Sequence, residues 1–387
     1  MVAVFFLHGL LFASWTAHIP QVKDHLGLSD GSLGLALLGA PLGSVVAMVV
    51  AGRLLPTLGS RVVVRGALIG YCVSGPLIGL TGSAASFFVA FLLWGFFQGA
   101  LDASMNTQAI SVERSSARVL MPGFHGAWSI GALAGALTGA LAVGLGVTLS
   151  MQLLILGVPG VIVVGWLTTR MIPDRRSPPA PGSPRPGPPA VGAGIFQKAI
   201  VVLGAIAFAD MLCEGAAADW AAVYLRGPLH ALPLVAGLAY AGYALAMVTV
   251  RLLGNRLLTR FARYRLVPAL AGTAAAAFAT CLVVDRPASI LVGFAFLGAG
   301  LGCVVPTVLS AAGDVSGVHA GRAVATVAGC GWAGFVVGPV VVGGIASASS
   351  LHVALFVIPT LTLVVALATG LTAALRGGRR PSATLGE

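Results

Sequence analysis

Three carboxyl groups interrupt an otherwise apolar stretch, residues 205–222, at Asp210, Glu214 and Asp219. The apolar flanks make the segment long enough to cross a bilayer as a helix. An ionisable group near the centre of a bilayer costs roughly 2.5–3.5 kcal/mol, even on the most lenient insertion scale. We therefore expect these side chains to bind a ligand or to carry protons.

The spacing of the three groups separates their roles. Asp210 lies one helical turn before Glu214, so the two side chains share a face. Like charges so close in a medium of low dielectric do not both ionise, and one of the pair is expected to hold a proton. A pairing of Asp210 with an arginine or a helix terminus is the alternative. Asp219 lies about 140° further round the helix and near its outer end, where capping, or pairing with Arg226 or a neighbouring loop, is expected.

A polar stripe marks another apolar segment, with Gln98, Asp102 and Asn106 at positions i, i+4 and i+8. Hydrogen bonds between helices in lipid are worth only about 0.6–2 kcal/mol each. Packing alone is therefore a weak reason for a whole stripe of amides and a carboxylate. The pattern predicts a helix wall that faces a water-filled cavity and a polar substrate. Interhelical packing through Gln98 and Asn106 is the alternative.

The composition places these segments in a membrane. Hydrophobic residues make up 58% of the 387, charged residues only 9%, and the mean hydropathy is +0.99, whereas soluble domains average about a quarter charged residues. A membrane-spanning helix needs about 20 predominantly apolar residues, and the short alternating segments of a β-barrel do not occur. Twelve segments have the required length: roughly 1–21, 32–54, 62–81, 84–111, 122–145, 147–170, 195–222, 233–256, 266–284, 287–311, 320–346 and 351–376.

Basic residues are distributed unevenly between the two sides of this membrane. With the N-terminus in the cytoplasm, only Lys23, Arg226 and Arg286 of the 22 lysines and arginines lie outside. This positive-inside bias predicts cytoplasmic termini in a bacterial plasma (inner) membrane. The net charge of +11 therefore reports topology and does not indicate a nucleic-acid partner. All five cysteines lie within predicted spans without metal-ligand spacing, so no metal, cofactor or disulfide framework is predicted.

A proline-rich segment divides the chain into two sets of six spans. Residues 173–190 hold eight of the 22 prolines, and so dense a run of proline cannot form a helix. We expect an N-terminal bundle over 1–172, a cytoplasmic linker over 173–194, and a C-terminal bundle with a short basic tail over 195–387.

The two halves resemble each other at an offset near 203 residues. Duplicated six-helix halves with a site near the midplane are a transporter architecture. The sequence therefore predicts an all-α, polytopic membrane protein with 12 transmembrane helices in two pseudo-symmetric six-helix bundles. Glycines of spans four and five recur in spans ten and eleven: Gly95 with Gly298, Gly99 with Gly302, Gly131 with Gly334, and Gly135 with Gly338.

The loop between spans two and three reads GRLLPTLGSR and resembles the G-x-L-x-D-x-x-G-R-R pattern of the major facilitator superfamily. Gly52, Gly59 and Arg61 match, while Pro56 stands at the acidic position. The stretches FFLHGLLFASWTAHIP, MPGFHGAWSIGALAG, EGAAADWAAVYL and GFVVGP are similar to the YbjJ-like branch. The resemblance implies a secondary transporter in which Gly52, Gly59 and Arg61 latch the cytoplasmic side, with the charge relay of that latch weakened by Pro56.

In that superfamily the first and seventh helices border the central cavity. In span one, His8-Gly9 is followed six residues later by Trp15. In span seven, Glu214-Gly215 is followed five residues later by Trp220, which is a similar pattern. We therefore expect His8 and Glu214 to face each other at comparable depth and to bind and release a proton. A polar pair that only satisfies itself is the alternative. Trp15 and Trp220 are expected to stack on a substrate or to lie in the outer aromatic belt.

Together these features predict a secondary active transporter of a small polar or amphipathic solute, proton-coupled, working by alternating access as a monomer in the lipid bilayer. Proton coupling or substrate contact is assigned to Glu214, Asp210 and Asp102, with His8 and Asn106 beside them. Uptake by symport and efflux of a drug or metabolite by antiport are both open. A membrane-embedded enzyme would need clustered acidic metal sites or a nucleophile–base set, and a sensor would need a soluble output domain; the sequence favours neither.

Overall fold

The computed structural model describes residues 1–116, 120–172, 193–316 and 320–372. Within these ranges, twelve helical spans are long and apolar enough to cross a membrane, as the sequence predicts. The linker expected over 173–194 lies outside the described residues except for its last two positions, which open a helix, and residues 373–387 of the basic tail also lie outside them.

Six spans form each half of the molecule. The N-terminal half consists of span 1 with α1 (Val2–Ser14), a 3-10 turn (Thr16–His18) and α2 (Ile19–His25), span 2 with α3 (Asp30–Leu37) and α4 (Gly39–Leu58), span 3 or α5 (Ser60–Ile78), span 4 or α6 (Ala84–Ser116), span 5 or α7 (Met121–Gly144), and span 6 or α8 (Leu149–Thr168). The C-terminal half consists of span 7 or α9 (Ala193–Arg226), span 8 or α10 (Pro233–Arg260), span 9 or α11 (Arg263–Val284), span 10 with α12 (Pro287–Leu301) and α13 (Val304–Ser316), span 11 or α14 (Ala320–Ala348), and span 12 with α15 (Leu351–Leu355) and α16 (Val357–Leu371).

Span 1 is broken at Thr16–His18, where the sequence predicts one continuous helix. Pro20 has no backbone N–H and cannot donate to the carbonyl four residues before it, so the chain turns through a 3-10 segment before α2 begins. Gln152 of span 6 fixes this break. Its Nε2 donates to the carbonyl oxygen of Ser14 at 2.8 Å, and its Oε1 lies 2.7 Å from Nε2 of His18.

In both halves, equivalent helices approach each other closely at a glycine. A Cβ added at Gly131 of α7 would lie 2.1 Å from the carbonyl oxygen of Phe6 in α1, and one at Gly334 of α14 would lie 2.1 Å from that of Phe208 in α9. Small residues let membrane helices pack backbone to backbone. The same helix pairs therefore form the tightest contacts in each half, spans 1 and 5 in the first and spans 7 and 11 in the second.

A second pair of helices shows the same repeat. A Cβ at Gly95 of α6 would lie 2.1 Å from the carbonyl oxygen of Ala40, and one at Gly298 of α12 would lie 2.1 Å from that of Tyr243. Spans 2 and 4 therefore pack as spans 8 and 10 do. The repeated glycines found in the sequence are the positions at which these backbones touch.

The two halves meet at one end of the molecule, called here the closed end. Gly34 of α3 packs on α14, since a Cβ there would lie 2.5 Å from the carbonyl oxygen of Pro339. Gly237 near the start of α10 packs on α7, since a Cβ there would lie 2.7 Å from Cα of Ala140. Towards the opposite end the halves separate and leave a cavity between them.

Candidate functional site

A cavity of about 1600 Å³ lies between the two halves. Its walls come from both halves, and it extends from Trp15 and Thr16 towards the closed end to the turn between α10 and α11. Phe261, at that turn, is 52% exposed, so the cavity opens to the surrounding solvent at this end. A cleft shared by two repeats near mid-depth is where carriers of this architecture bind their substrates.

The polar stripe of span 4 faces this cavity. Gln98, Asp102 and Asn106 all line it, as the spacing of the three residues predicts. The amide of Asn106 donates to Asp102 twice, to its carbonyl oxygen at 2.9 Å and to its Oδ1 at 3.2 Å. The stripe therefore presents a carboxyl group that already accepts one amide hydrogen bond and keeps further acceptor sites for a ligand.

His8 lines the same wall, but its partner differs from the predicted one. Nε1 of Trp128 in α7 donates a hydrogen bond of 2.7 Å to Nδ1 of His8. The other ring nitrogen, Nε2, is buried and has no hydrogen-bond partner within the described ranges. Glu214 lines the cavity from the other half without a hydrogen bond to His8.

The expected alignment of His8 with Glu214 is wrong by one helical turn. The carbonyls of Phe6 and Leu10 approach Gly131 and Gly135, while those of Phe208 and Leu212 approach Gly334 and Gly338. These contacts relate span 1 to span 7 by an offset of 202 residues, which places His8 opposite Asp210. The two tryptophans, at an offset of 205 residues, do not occupy equivalent positions in the two spans, so their spacing does not give the alignment.

Two carboxyl groups of α9 lie in the C-terminal half of the site. Glu214 lines the cavity and is 7% exposed, whereas Asp210, one turn away, is 1% exposed and lies behind the wall. Oε2 of Glu214 and Oδ1 of Asp210 are both buried without a hydrogen-bond partner in the part of the chain that the structure describes. Unpaired polar atoms are costly to bury, so these oxygens are available to a proton or a ligand.

Arg251 of α10 is a cavity residue that the sequence alone assigns only to the cytoplasmic side. It lines the cavity, and its Nε donates to the carbonyl oxygen of Gly302 at 3.2 Å. The alternative pairing of Asp210 with an arginine does not occur among the described residues, where no ion pair includes Asp210. The signal for this role is its position inside a predicted span, 233–256, five residues before the end of that span.

Asp219 also belongs to the cavity, although the sequence reading places it in a cap or an ion pair at the outer edge. Asp219 is buried and lines the cavity. Arg226, its expected partner, instead donates from Nη1 to the carbonyl oxygen of Ala231 at 3.1 Å. The expected cap or ion pair at the outer edge is therefore wrong, because Asp219 faces the space between the halves.

The two tryptophans have different environments. Trp15 lines the cavity, with its ring 4.5 Å from that of Phe91 between centroids. Trp220 is fully buried and is not part of the cavity wall. A Cβ at Gly343 would lie 3.3 Å from Cζ2 of Trp220. Trp220 therefore packs between helices, and neither substrate stacking nor an outer belt describes it.

Aromatic rings also cross the cavity between the halves. Phe12 of span 1 and Phe335 of span 11 have ring centroids 6.3 Å apart. Trp128 lies 5.8 Å from Phe12, and Trp332 lies 6.0 Å from Phe335. All four rings line the cavity. They give it an apolar middle between the polar stripe of α6 and the carboxyl groups of α9.

The predicted gate residues lie away from the cavity. Gly59 has a φ of +80°, which suits glycine between α4 and α5. Arg61 donates from Nη2 to the carbonyl oxygen of Thr169, at the end of α8, with a distance of 2.6 Å. A Cβ at Gly52 would meet nothing within 4 Å. In this conformation Arg61 therefore binds within its own half.

Within the described ranges, no group of three or more His, Cys, Asp or Glu side chains is arranged to hold a metal ion. The five cysteines are free thiols. The described wall of the cavity carries carboxyl groups, imidazoles, arginines and aromatic rings.

Proteins similar to this chain have the same architecture or belong to the same family. The model of the Major Facilitator Superfamily matches residues 1–225 and 202–385. An uncharacterized MFS-type transporter of Yersinia pestis is 34% identical over 363 residues, which cover 94% of this chain and 92% of that protein. Membrane protein MosC of Rhizobium meliloti is 31% identical over 94% of this chain and 87% of its own length.

Solved structures share the fold at low identity. A D323A mutant of the nucleoside transporter NupG superposes with a TM-score of 0.76 at 12% identity, covering 95% of this chain and 97% of that one. A D-xylose–proton symporter gives a TM-score of 0.72 at 15% identity, covering 95% and 96%. A bacterial homolog of the human lysosomal transporter Spinster, in an inward-facing and unoccupied conformation, gives 0.68 at 16%, covering 97% and 95%.

Proposed function

Because the chain belongs to the major facilitator superfamily, we propose that this multi-pass transporter moves a small polar or amphipathic solute by proton-coupled alternating access. One observation carries the proposal: the unpartnered carboxyl of Glu214 lines a cavity shared by the two halves. An ionisable side chain at membrane depth is retained for binding or for proton transfer. The nucleoside transporter and the xylose–proton symporter among the structural relatives accord with a small polar solute.

The orientation of the cavity follows from charge. The open end carries the turn with Arg260 and Arg263, and the positive-inside bias assigns such basic turns to the cytoplasm. We propose that the structure is inward-facing, with both termini in the cytoplasm of a bacterial inner membrane. Fluorescent-protein fusions to the C-terminus test this, because a cytoplasmic terminus gives a fluorescent cell and a periplasmic one does not.

We propose a monomeric carrier, because described residues of both halves of one chain line the cavity. Arg61 and the two glycines of its loop remain candidates for a latch that forms when the cytoplasmic ends of the halves approach each other. In that state Arg61 would exchange the Thr169 carbonyl for a partner in the C-terminal half. Pro56 at the acidic position leaves the loop without its own carboxylate.

Transport in proteoliposomes tests the function. The purified chain is reconstituted with an internal pH dye and given a panel of nucleosides, sugars, amino acids, organic acids and amphipathic cations. We expect at least one solute to produce movement of protons together with uptake. Internal acidification with inward substrate flow means symport, and alkalinisation means antiport. No proton movement and no uptake with any member would contradict the proposal.

The variant Glu214→Gln identifies the coupling group. Glutamine keeps the size of the side chain and loses its ability to ionise, so we expect substrate-driven proton movement to fall at least tenfold. Exchange of labelled for unlabelled substrate, which needs no net proton transfer, is expected to keep at least a third of its rate. Asp24→Asn, at an exposed carboxyl outside the cavity, is the control and should leave both rates unchanged.

A further inference from the structure

Span 10 is broken where it passes the cavity. Helix α12 ends at Leu301, and α13 begins at Val304 after a turn over residues 302 and 303. Pro306 explains the break, because it has no backbone N–H and cannot donate to the carbonyl oxygen of Gly302, four residues before it. The first turn of α13 therefore lies in the cavity wall, to which this segment contributes Gly302, Cys303, Val305, Pro306 and Thr307.

Arg251 of span 8 replaces the donor that is missing at this break. Its Nε donates to the carbonyl oxygen of Gly302 at 3.2 Å, which is the oxygen that Pro306 leaves without a helical partner. The two terminal nitrogens, Nη1 and Nη2, make no hydrogen bond within the described residues. No carboxylate of the described chain lies within ion-pair distance of Arg251 either. The guanidinium group is therefore held in place by one nitrogen and keeps the other two for a ligand.

Thr307 adds a hydroxyl group to the same turn. The residue is 3% exposed, and its Oγ1 is buried without a hydrogen-bond partner among the residues that the structure describes. A threonine inside a helix can donate to the carbonyl four residues before it, as Thr249 and Thr326 do in this chain. Thr307 makes no such bond. An unpaired hydroxyl is costly to bury, so a ligand in the cavity that accepts from it removes this cost.

The N-terminal half does not repeat this arrangement. The tight glycine contacts of span 2 with span 4 and of span 8 with span 10 relate the halves by an offset of 203 residues. At that offset, the positions of Arg251, Pro306 and Thr307 hold Met48, Ala103 and Ser104. Helix α6 is unbroken there, and the hydroxyl of Ser104 donates to the carbonyl oxygen of Ala100 at 2.7 Å. The fold itself therefore does not require the break, the cation or the unpaired hydroxyl, which occur together in one half.

We propose that Arg251, Thr307 and the first turn of α13 form a binding site for the acidic group, a carboxylate or a phosphate, of the transported solute. Nη1 and Nη2 of Arg251 match the two oxygens of such a group, and the hydroxyl of Thr307 donates a further hydrogen bond. The N-terminal end of α13 adds partial positive charge. This acid site rests on the proposed function, and it narrows the solute to an organic acid or a phosphate ester.

Binding to the purified full-length chain in detergent tests the acid site without any transport. The ligands are matched pairs that differ at the acidic group: nicotinate with nicotinamide, glucuronate with glucose, and uridine monophosphate with uridine. Isothermal titration calorimetry gives the affinity of each. We expect at least one acid to bind at least tenfold more tightly than its neutral partner, and the pair that responds shows whether a carboxylate or a phosphate fits. Binding of no acid, or of no acid more tightly than its partner, would overturn the proposal.

The variant Arg251→Gln assigns the acid to this cation. We expect the affinity for the acid to fall at least tenfold, while the affinity for the neutral partner stays within twofold. Arg260→Gln removes a cation elsewhere on the cavity wall and is the control, which should keep both affinities within twofold. An equal loss in the two variants would show that the net charge of the cavity, and not the acid site, attracts the acid. Gel filtration identifies folded variants, and Arg251→Lys, which keeps the charge without the planar pair of nitrogens, serves if the glutamine variant does not fold.

The broken turn has its own readout. Thr307→Val replaces the hydroxyl with a methyl group, and Pro306→Ala returns a helical donor to the Gly302 carbonyl and so releases Arg251. We expect each change to weaken binding of the acid at least threefold, whereas Ser104→Ala, at the equivalent hydroxyl of span 4, should leave it unchanged. Unchanged affinity in both Thr307→Val and Pro306→Ala would remove the turn from the site.

The acid site and the proposed function fail in different ways. An acid that binds the wild type through Arg251 but gives neither uptake nor proton movement in proteoliposomes would count against the proposed function alone. Proton-coupled uptake of neutral solutes, with no binding of any acid, would leave the proposed function and overturn the acid site.

Discussion

The hydrogen bond between Trp128 and His8 joins spans 5 and 1 at the wall of the cavity. The indole nitrogen can only donate, so Nδ1 of His8 must be the acceptor, and a neutral ring then carries its proton on Nε2. Trp128 therefore fixes the tautomer of His8. Trp128 thus decides the donor and acceptor roles of the His8 ring, whereas the carboxyl oxygens Oε2 of Glu214 and Oδ1 of Asp210 have no partner among the described residues.

Replacing Trp128 by phenylalanine tests this pair. Because the buried Nδ1 of His8 loses its donor, we expect the free energy of unfolding to fall by about 1 kcal/mol, seen as a lower midpoint of thermal unfolding in detergent. Trp332→Phe is the control, since that ring also lines the cavity and contacts Phe335. An equal loss in both variants would show that ring size, and not the hydrogen bond, supports the wall.

At the scale of helices, the repeated glycines hold the two tightest pairs of each half. The contacts of Gly131 with Phe6 and of Gly334 with Phe208 leave no room for a methyl group. Spans 1 and 7 carry most of the candidate groups of the site, and spans 5 and 11 hold them in place. The geometry of the carboxyl groups therefore depends on residues that have no side chain.

Alanine at these glycines has an unambiguous control on the same helices. Gly131→Ala and Gly334→Ala force the backbones apart, so we expect lower yields of folded protein and a clear fall in the midpoint of thermal unfolding. A Cβ at Gly126 or Gly329 meets nothing within 4 Å. Alanine there should be neutral or stabilising by up to about 1 kcal/mol, because it has the higher helix propensity. Equal behaviour of the two pairs would contradict the packing described here.

For the whole molecule, the contacts at the closed end decide which side of the cavity is accessible. Gly31 of α3 and Ser347 of α14 belong to opposite halves, and a Cβ at Gly31 would lie 3.4 Å from Cβ of Ser347. The alternating access that we propose requires this contact to open. The ion pairs Lys23–Asp30 and Asp285–His352 of the described residues each lie within one half, so opening this contact breaks neither of them.

A cysteine pair at these two positions tests the rocking motion. The Cβ separation is close to the roughly 3.5–4.5 Å of disulfides, so Gly31→Cys with Ser347→Cys should cross-link on oxidation. We expect the oxidised carrier to lose at least nine-tenths of its transport and a reductant to restore it. The single variants, treated in the same way, should keep their activity. Unchanged transport in fully cross-linked protein would show that the closed end need not open.

The sequence by itself determines the parts that depend on local physics. Bilayer thickness sets the length of each apolar span, so twelve spans and two halves follow from hydropathy and the proline-rich linker. The helical period places Gln98, Asp102 and Asn106 on one face, and the structure shows that face in the cavity. Repeated glycines at one offset predict equivalent helix pairs, which the structure contains.

Only the tertiary structure decides which distant side chains meet. Trp128 lies 120 residues from His8, and nothing local to either residue indicates the other. The predicted alignment of His8 with Glu214 is wrong by one turn because the axial positions of α1 and α9 are set by their contacts with glycines of α7 and α14. The spacing of the two tryptophans contains no information about these contacts. Asp219 of α9 and Arg251 of α10 face the cavity between the halves, and this position depends on how the helices of the two halves are arranged around it. These contacts form by packing between helices that are distant in the sequence, and the periodic pattern within one helix does not predict which helices pack together.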